Sequence, residues 1–168
     1  MKKIGFGGGC HWCTEAVFQS LKGVRQVDQG WIKSVAPYDS FSEAVVVHFR
    51  PEIIDYKTLI EIHLLTHSST SEHRMRPKYR SAIYFFTESE QSIFTDIVFQ
   101  ISQVNQKNYI TRILPFAGFK FNKESYLGYY QKYPEKAFCK TYIHPKLKKL
   151  QRFYPDKTIP DSKTIDQD

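Results

Sequence analysis

The sequence predicts an α+β sandwich close to a split βαβ plait, and three observations point there. Stretches with apolar residues at helical spacing alternate with β-branched runs in the order β-α-β-β-α-β, followed by an extra strand and C-terminal helices. The link over residues 33–42 has hairpin length, which implies antiparallel neighbours in the sheet. At 168 residues, 41% hydrophobic and 15% aromatic, the chain has material for one real core, and a disordered chain is excluded.

The first strand is expected over residues 3–6. Behind it Trp12, Ala16, Val17, Phe18 and Leu21 fall at helical spacing, a run that Gly23 ends. Residues 24–32 read as a strand, 33–42 as a loop, and EAVVVHF (43–49) as a β-branched strand closed by Pro51. In DYKTLIEIHLLTH (55–67) the apolar spacing is helical again, with Asp55 placed to cap it. SSTSEHRMRPK (68–78) is polar and irregular, and YRSAIYFF (79–86) is a strand. Thr87 and Glu90 form a T-x-x-E capping box that opens a helix to about residue 105. YITRILPF (109–116) is the last strand, and helices are expected over 123–133 and 144–153. One domain thus spans residues 1–154, with 155–168 as a flexible tail.

Chemistry concentrates in GFGGGCHWCTEAVFQSLKGV (5–24), where three glycines lead into Cys10 and then Cys13. Glycine in front of a helical run marks a sharp turn or a close approach of backbone. Both thiols fall at or just inside a helix N-terminus. Free N–H groups and the helix dipole favour thiolate there, so each is expected to titrate below the usual value of about 8.5. The plain alternative is a pair of small buried hydrophobes. Glu43 is the one acidic residue opening an apolar strand. Desolvation of a carboxyl there favours its neutral form and makes a usable general acid; otherwise it is a solvated strand end. Tyr79 could hold an oxygen atom through its phenol, or pack beneath the sheet. Cys139 stands alone in EKAFCKTYIHP, a segment with little regular pattern that could swing over the site.

Three cysteines do not make a secreted disulfide framework. The apolar stretch of MKKIGFGGGC is too short for a signal peptide, and no window nears the ~20 apolar residues of a membrane span. A cytoplasmic, reducing location without a membrane partner is the expectation. The net charge of +7 draws much of its excess from KLKKLQR (146–152), which reads as the solvated face of a terminal helix rather than a nucleic-acid surface. A metal module would need a second C-x-x-C or clustered histidines, whereas the six histidines are scattered, so no metal or other cofactor is expected.

GGGCHWCTEAVFQSLKGV resembles the signature of A-type peptide-methionine sulfoxide reductases, in which G-C-F-W-G-x-E-x-x-F opens the catalytic helix. VRQVDQGWI, SEAVVVHFRPEIIDYKTLIEIHLLTH and KYRSAIYFF resemble the family's later segments, in order, so the likeness spans residues 3–134. It implies an α/β roll, here around a ferredoxin-like (split βαβ) core, and reduction of the S-epimer of methionine sulfoxide, free or in proteins, as protein repair under oxidative stress. It also implies Cys10 as nucleophile on the sulfoxide sulfur and Trp12 as a wall for the substrate methyl. Glu43 would protonate the sulfoxide oxygen, and Tyr79 would hydrogen-bond it. Cys10 would become a sulfenic acid, a second thiol would close a disulfide, and thioredoxin would reduce it. Cys13 and Cys139 are the candidates for that second thiol. Cys13 is preferred, being one helical turn away with a position that also favours thiolate.

The chain departs from the family pattern at several places. His11 stands where an aromatic is usual, which puts an imidazole at the substrate-methyl pocket, and Cys13 replaces a glycine. Phe41-Ser42-Glu43 lacks the family's histidine, and SEHRMRPK lacks its aspartate. Tyr38, on a shortened loop, is the candidate for a second substrate-binding tyrosine. A dithiol-disulfide oxidoreductase is the rival reading, because Cys10-His11-Trp12-Cys13 is a C-x-x-C at a helix start.

Overall fold

The computed structural model describes residues 1–71 and 78–160. Strands β1 (Lys2–Gly7), β2 (Val24–Lys33), β3 (Ser42–Phe49), β4 (Ala82–Phe85), β5 (Arg112–Pro115) and β6 (Gly118–Phe121) form one mixed sheet in the order β5-β4-β1-β3-β2-β6. Every neighbouring pair is antiparallel except β4 with β5. The helices are α1 (His11–Gln19), α2 (Tyr56–Thr66), α3 (Glu88–Asn105), α4 (Tyr129–Lys132) and α5 (His144–Phe153). The class is α+β. None of the helices described is long and apolar enough to cross a membrane.

Alternation along the central strands explains the layering. Ile4 and Phe6 of β1, with Val45, Val47 and Phe49 of β3, join Val17 and Phe18 of α1 and Leu59 and Ile60 of α2 in the main core. Phe6 stacks on Phe18 with centroids 4.6 Å apart, and both rings are fully buried. Burying each such ring contributes about 1.5–3 kcal/mol. This packing holds α1 against the sheet. The other face carries a smaller cluster of Ile32, Ala44, Val46, Tyr84 and Leu114. Helix starts follow the expected caps. Asp55 accepts the Thr58 N–H at 2.9 Å, and the Thr87–Glu90 capping box is present at α3.

Four expectations need correction. The strand foreseen over 79–86 begins only at Ala82. Ser42 Oγ donates to Lys78 O and accepts from Arg80 N–H, both at 2.8 Å, so residues 78–81 form an irregular lead-in that carries Tyr79. The helix foreseen over 123–133 is broken by Gly128 at φ 65° into a 3₁₀ turn, Glu124–Tyr126, and the short α4. Cys139 lies in no irregular segment: it opens a π-helical turn, Cys139–Ile143, that runs directly into α5.

The fourth concerns the tail. Lys22 N–H donates to Lys157 O and Ile159 N–H to Ser20 O, both at 2.7 Å, and Thr158 is buried. The chain is therefore tied to the end of α1 as far as Ile159. The rest of the expected tail (161–168) and most of SEHRMRPK (72–77) lie outside the described residues. One strand was not foreseen: β6 pairs with the edge of β2 after Ala117 N–H turns onto Lys33 O at 3.0 Å.

Candidate active site

Cys10 is the N-cap residue of α1, with extended backbone (φ −59°, ψ 131°) and a half-buried side chain. The glycines before it answer to α2 and the β4 lead-in. Gly8 has φ 138°, and a Cβ there would come within 2.6 Å of the His67 ring. A Cβ on Gly7 would meet Arg80 O at 2.8 Å. His63 Nε2 bonds Gly7 O at 2.7 Å, and His67 Nε2 pairs with Ser81 Oγ at 2.8 Å. His63 of α2 thus holds the glycine loop that presents the thiol, and His67, at the C-cap of α2, leaves no room for a side chain at Gly8.

The Cys13 side chain hydrogen-bonds Cys10 and is the largest influence on it, lowering the Cys10 thiol to about 7. Burial opposes this, and the Trp12 backbone N–H assists it. Cys13 is pushed far up, first by the same bond and then by burial. This corrects the expectation that the helix start favours thiolate at both positions: one sulfur is the thiolate and the other is its donor. Lys146 of α5 partly offsets the rise at Cys13. Cys139 is fully buried in the main core, and burial pushes its thiol up.

A cavity of about 340 Å³ opens over Cys10, with Cys13, His67, Tyr79, Phe138 and Lys146 in its wall. A second, of about 440 Å³, is lined by His11, Trp12, Trp31, Asn122 and Tyr126. A larger cavity of about 910 Å³ between α2, α3 and α5 has no cysteine in its wall. Glu43, 4% exposed, faces the start of α1: its Oε1 is in close contact with His11 Nδ1. Its Oε2 has no hydrogen-bond partner among the described residues and lies 3.8 Å from Lys78 Nζ. Burial raises the Tyr79 phenol, Lys78 opposes, and the charges of Glu43 and Cys10 raise it further, so Tyr79 stays an O–H donor.

Trp12 stacks on Tyr129 at 4.1 Å and 5°, with Phe138 edge-on at 5.4 Å. Glu15 fixes that aromatic wall, because both its oxygens accept the Gly128 N–H, at 3.0 and 3.1 Å, one residue before Tyr129. Burial raises the Glu15 carboxyl, and the Gly128 bond is the largest effect opposing it. His11 is buried and turns toward Glu43 and Trp31. Tyr38 is not brought to the site. It packs on the smaller cluster, on the sheet face away from α1, beneath the Arg112 guanidinium at 4.8 Å. Cys10, Cys13 and Tyr79 therefore share one cavity, His11 and Trp12 line the other with Glu43 against His11, and Tyr38 is in the wall of neither. Sequence reasoning missed Glu15, Gln29, Asn122 and Lys146. The signal for Lys146 was in KLKKLQR, whose Lys148, Lys149 and Arg152 are exposed while Lys146 is half-buried beside the thiols.

A sequence model described as "Peptide methionine sulfoxide reductase" matches residues 2–158. The peptide methionine sulfoxide reductase MsrA of Deinococcus radiodurans is 33% identical, over 90% of this chain and 82% of that protein. Among solved structures, reduced Mxr1 from Saccharomyces cerevisiae superimposes with a TM-score of 0.70 at 20% identity, covering 84% of this chain and 90% of that one. Mxr1 in complex with Trx2 gives 0.60 at 19%, covering 76% and 84%. These structures share the fold, and the sequence match covers nearly every element of it: the chain belongs to the A-type peptide methionine sulfoxide reductase family, a family of oxidoreductases.

Proposed function

We propose that the chain reduces the S-epimer of methionine sulfoxide, free or in proteins, with Cys10 as nucleophile. One observation carries the reading: a thiol lowered to about 7 at the N-cap of α1 is followed by His11, which is in close contact with a buried carboxyl whose Oε2 has no hydrogen-bond partner among the described residues. The Cys10 thiolate attacks the sulfoxide sulfur while Glu43 passes a proton to the sulfoxide oxygen and Tyr79 hydrogen-bonds it. Attack forms a bond between Cys10 and the methionine sulfur, whose oxygen is now a hydroxyl. That hydroxyl passes to the Cys10 sulfur as the S–O bond and the new sulfur–sulfur bond break, so methionine leaves and Cys10 is left as sulfenic acid. Trp12, braced by Tyr129 and Phe138, supplies an apolar wall for the substrate methyl.

Cys13 is the first resolving thiol in this reading. Its side chain already hydrogen-bonds Cys10, and once Cys10 is a neutral sulfenic acid the bond to a thiolate no longer holds Cys13 protonated, which leaves chiefly burial, offset by Lys146, to raise it. Attack by the Cys13 sulfur then forms the disulfide and releases water. A neighbouring structure is described as a complex with Trx2, which supports thioredoxin as the dithiol that reduces the bond. A further relay through Cys139 needs the π-helical turn to open, since that sulfur is fully buried. No metal or organic cofactor enters these steps, and a reducing cytoplasm suits the three thiols. The mutually antiparallel run β4-β1-β3-β2 supports the ferredoxin-like core of the roll, and the family match over residues 2–158 supports a single catalytic domain.

The dithiol-disulfide oxidoreductase reading draws on the same Cys10–Cys13 bond. Insulin reduction without sulfoxide turnover would select it. Stoichiometric loss of methionine S-sulfoxide with dithiothreitol would select the reductase.

A further inference from the structure

We infer that His11 is a positioning residue for Glu43, held as its Nδ1–H tautomer by a hydrogen-bond chain anchored on two backbone groups. The chain can be oriented without ambiguity. Tyr126 C=O can only accept, so Gln29 Nε2 donates to it at 3.0 Å. That leaves Gln29 Oε1 to accept from Asn122 Nδ2 at 2.7 Å. Lys123 N–H can only donate, so Asn122 Oδ1 accepts it at 2.8 Å. Both anchors independently turn the Asn122 NH₂ group toward His11 Nε2, 2.7 Å away. An amide nitrogen offers only hydrogens, so Nε2 is the bare, accepting nitrogen. A protonated Nε2 would set two donors against each other. The ring proton therefore sits on Nδ1, which is in close contact with Glu43 Oε1 but not in hydrogen-bond alignment with it, both side chains being at most 8% exposed.

The imidazole lines the cavity that Trp12 also walls, and its Nδ1 side turns to the carboxyl. The arrangement divides the two oxygens of Glu43. Oε1 faces His11, and Oε2 is the oxygen left for substrate. The kinetic consequence rests on Glu43 acting as the acid proposed above. As the proton moves from Oε2 to the sulfoxide oxygen, negative charge develops on the carboxyl, and the preset Nδ1–H meets it at Oε1. The His11 proton stays on its nitrogen throughout. Trp31, 5.3 Å from the imidazole, and Trp12, at 6.1 Å, close the ring's other sides.

The test has two arms. Imidazole ¹⁵N spectra of the reduced wild-type protein, with His11 assigned by its loss in His11→Asn, should show Nδ1 protonated and Nε2 bare. An Nε2–H ring, or a doubly protonated one, at neutral pH overturns the inference even in an active enzyme. In single turnover, His11→Phe should slow sulfoxide reduction by about 10²-fold, the scale of losing one preset donor at a developing charge, with substrate affinity changed far less. His11→Asn, whose amide nitrogen takes the Nδ1 position, should recover most of that loss. His11→Gln, whose amide matches Nε2, should not. Equal rates for the Phe and Asn variants would overturn the positioning role. An Nδ1–H ring in a wild type that reduces no sulfoxide would contradict the proposed function instead.

Discussion

Cys13 donates its thiol hydrogen to Cys10, and this one bond is the largest influence on both sulfurs. It divides two chemically identical groups into a nucleophile and its donor. Alkylation of Cys10 by iodoacetamide should therefore rise as pH passes about 7 and level off above it, because the thiolate is the reacting form. Cys13→Ala removes the donor and should move that midpoint to higher pH. Cys13→Ser keeps an O–H donor and should move it less. An unchanged midpoint in Cys13→Ala would mean that the bond does not control the nucleophile.

Glu43→Gln keeps the shape of the carboxyl but cannot give up a proton. Sulfenic acid formation should slow by ~10²–10⁴-fold with substrate affinity altered far less. Rapid-quench detection of the Cys10 sulfenic acid checks this. A first step at wild-type rate would reduce Glu43 to a buried structural group.

Glu15 acts through the 128–129 turn rather than on the thiols. Glu15→Ala leaves the Gly128 N–H without its acceptor and should cost about 1.5–3 kcal/mol of stability, the range for a hydrogen bond to a charged group. It should also weaken substrate binding, because Tyr129 no longer braces Trp12. Thermal denaturation together with a KM against kcat comparison would check both effects; an unshifted Tm would show that the turn is held by other contacts.

The resolving thiol is decided by connectivity. One equivalent of sulfoxide should give a Cys10–Cys13 disulfide, mapped by mass spectrometry, and the Cys13→Ser protein should accumulate sulfenic acid. A Cys10–Cys139 bond forming in Cys13→Ser at the wild-type rate would show that the π-helical turn opens readily and that Cys139 resolves.

What was legible in the sequence was local. The glycine run, the helix start at Cys10, the Asp55 cap and the Thr87–Glu90 box are each set within a few residues, and each formed. Strand β3 declared itself by its β-branched run. Strand β6 did not, because it exists only where the edge of β2 is free to pair. Gln29 and Asn122 lie 93 residues apart, and Glu15 reaches Gly128 across 113, so no local pattern could have joined them. Tyr38 went astray for the same reason. Its loop is short enough that Ser34 N–H closes on Tyr38 O at 2.9 Å, and the ring falls on the far face of the sheet.

The central claim is that Cys10 reduces one epimer of methionine sulfoxide through its own oxidation. A single-turnover assay of the reduced protein against the separate S- and R-epimers, without external reductant, tests it most directly. The account predicts one methionine released per protein from the S-epimer, two thiols lost with it, little from the R-epimer, and none from Cys10→Ser. Comparable turnover of both epimers, or methionine released by Cys10→Ser, would contradict it.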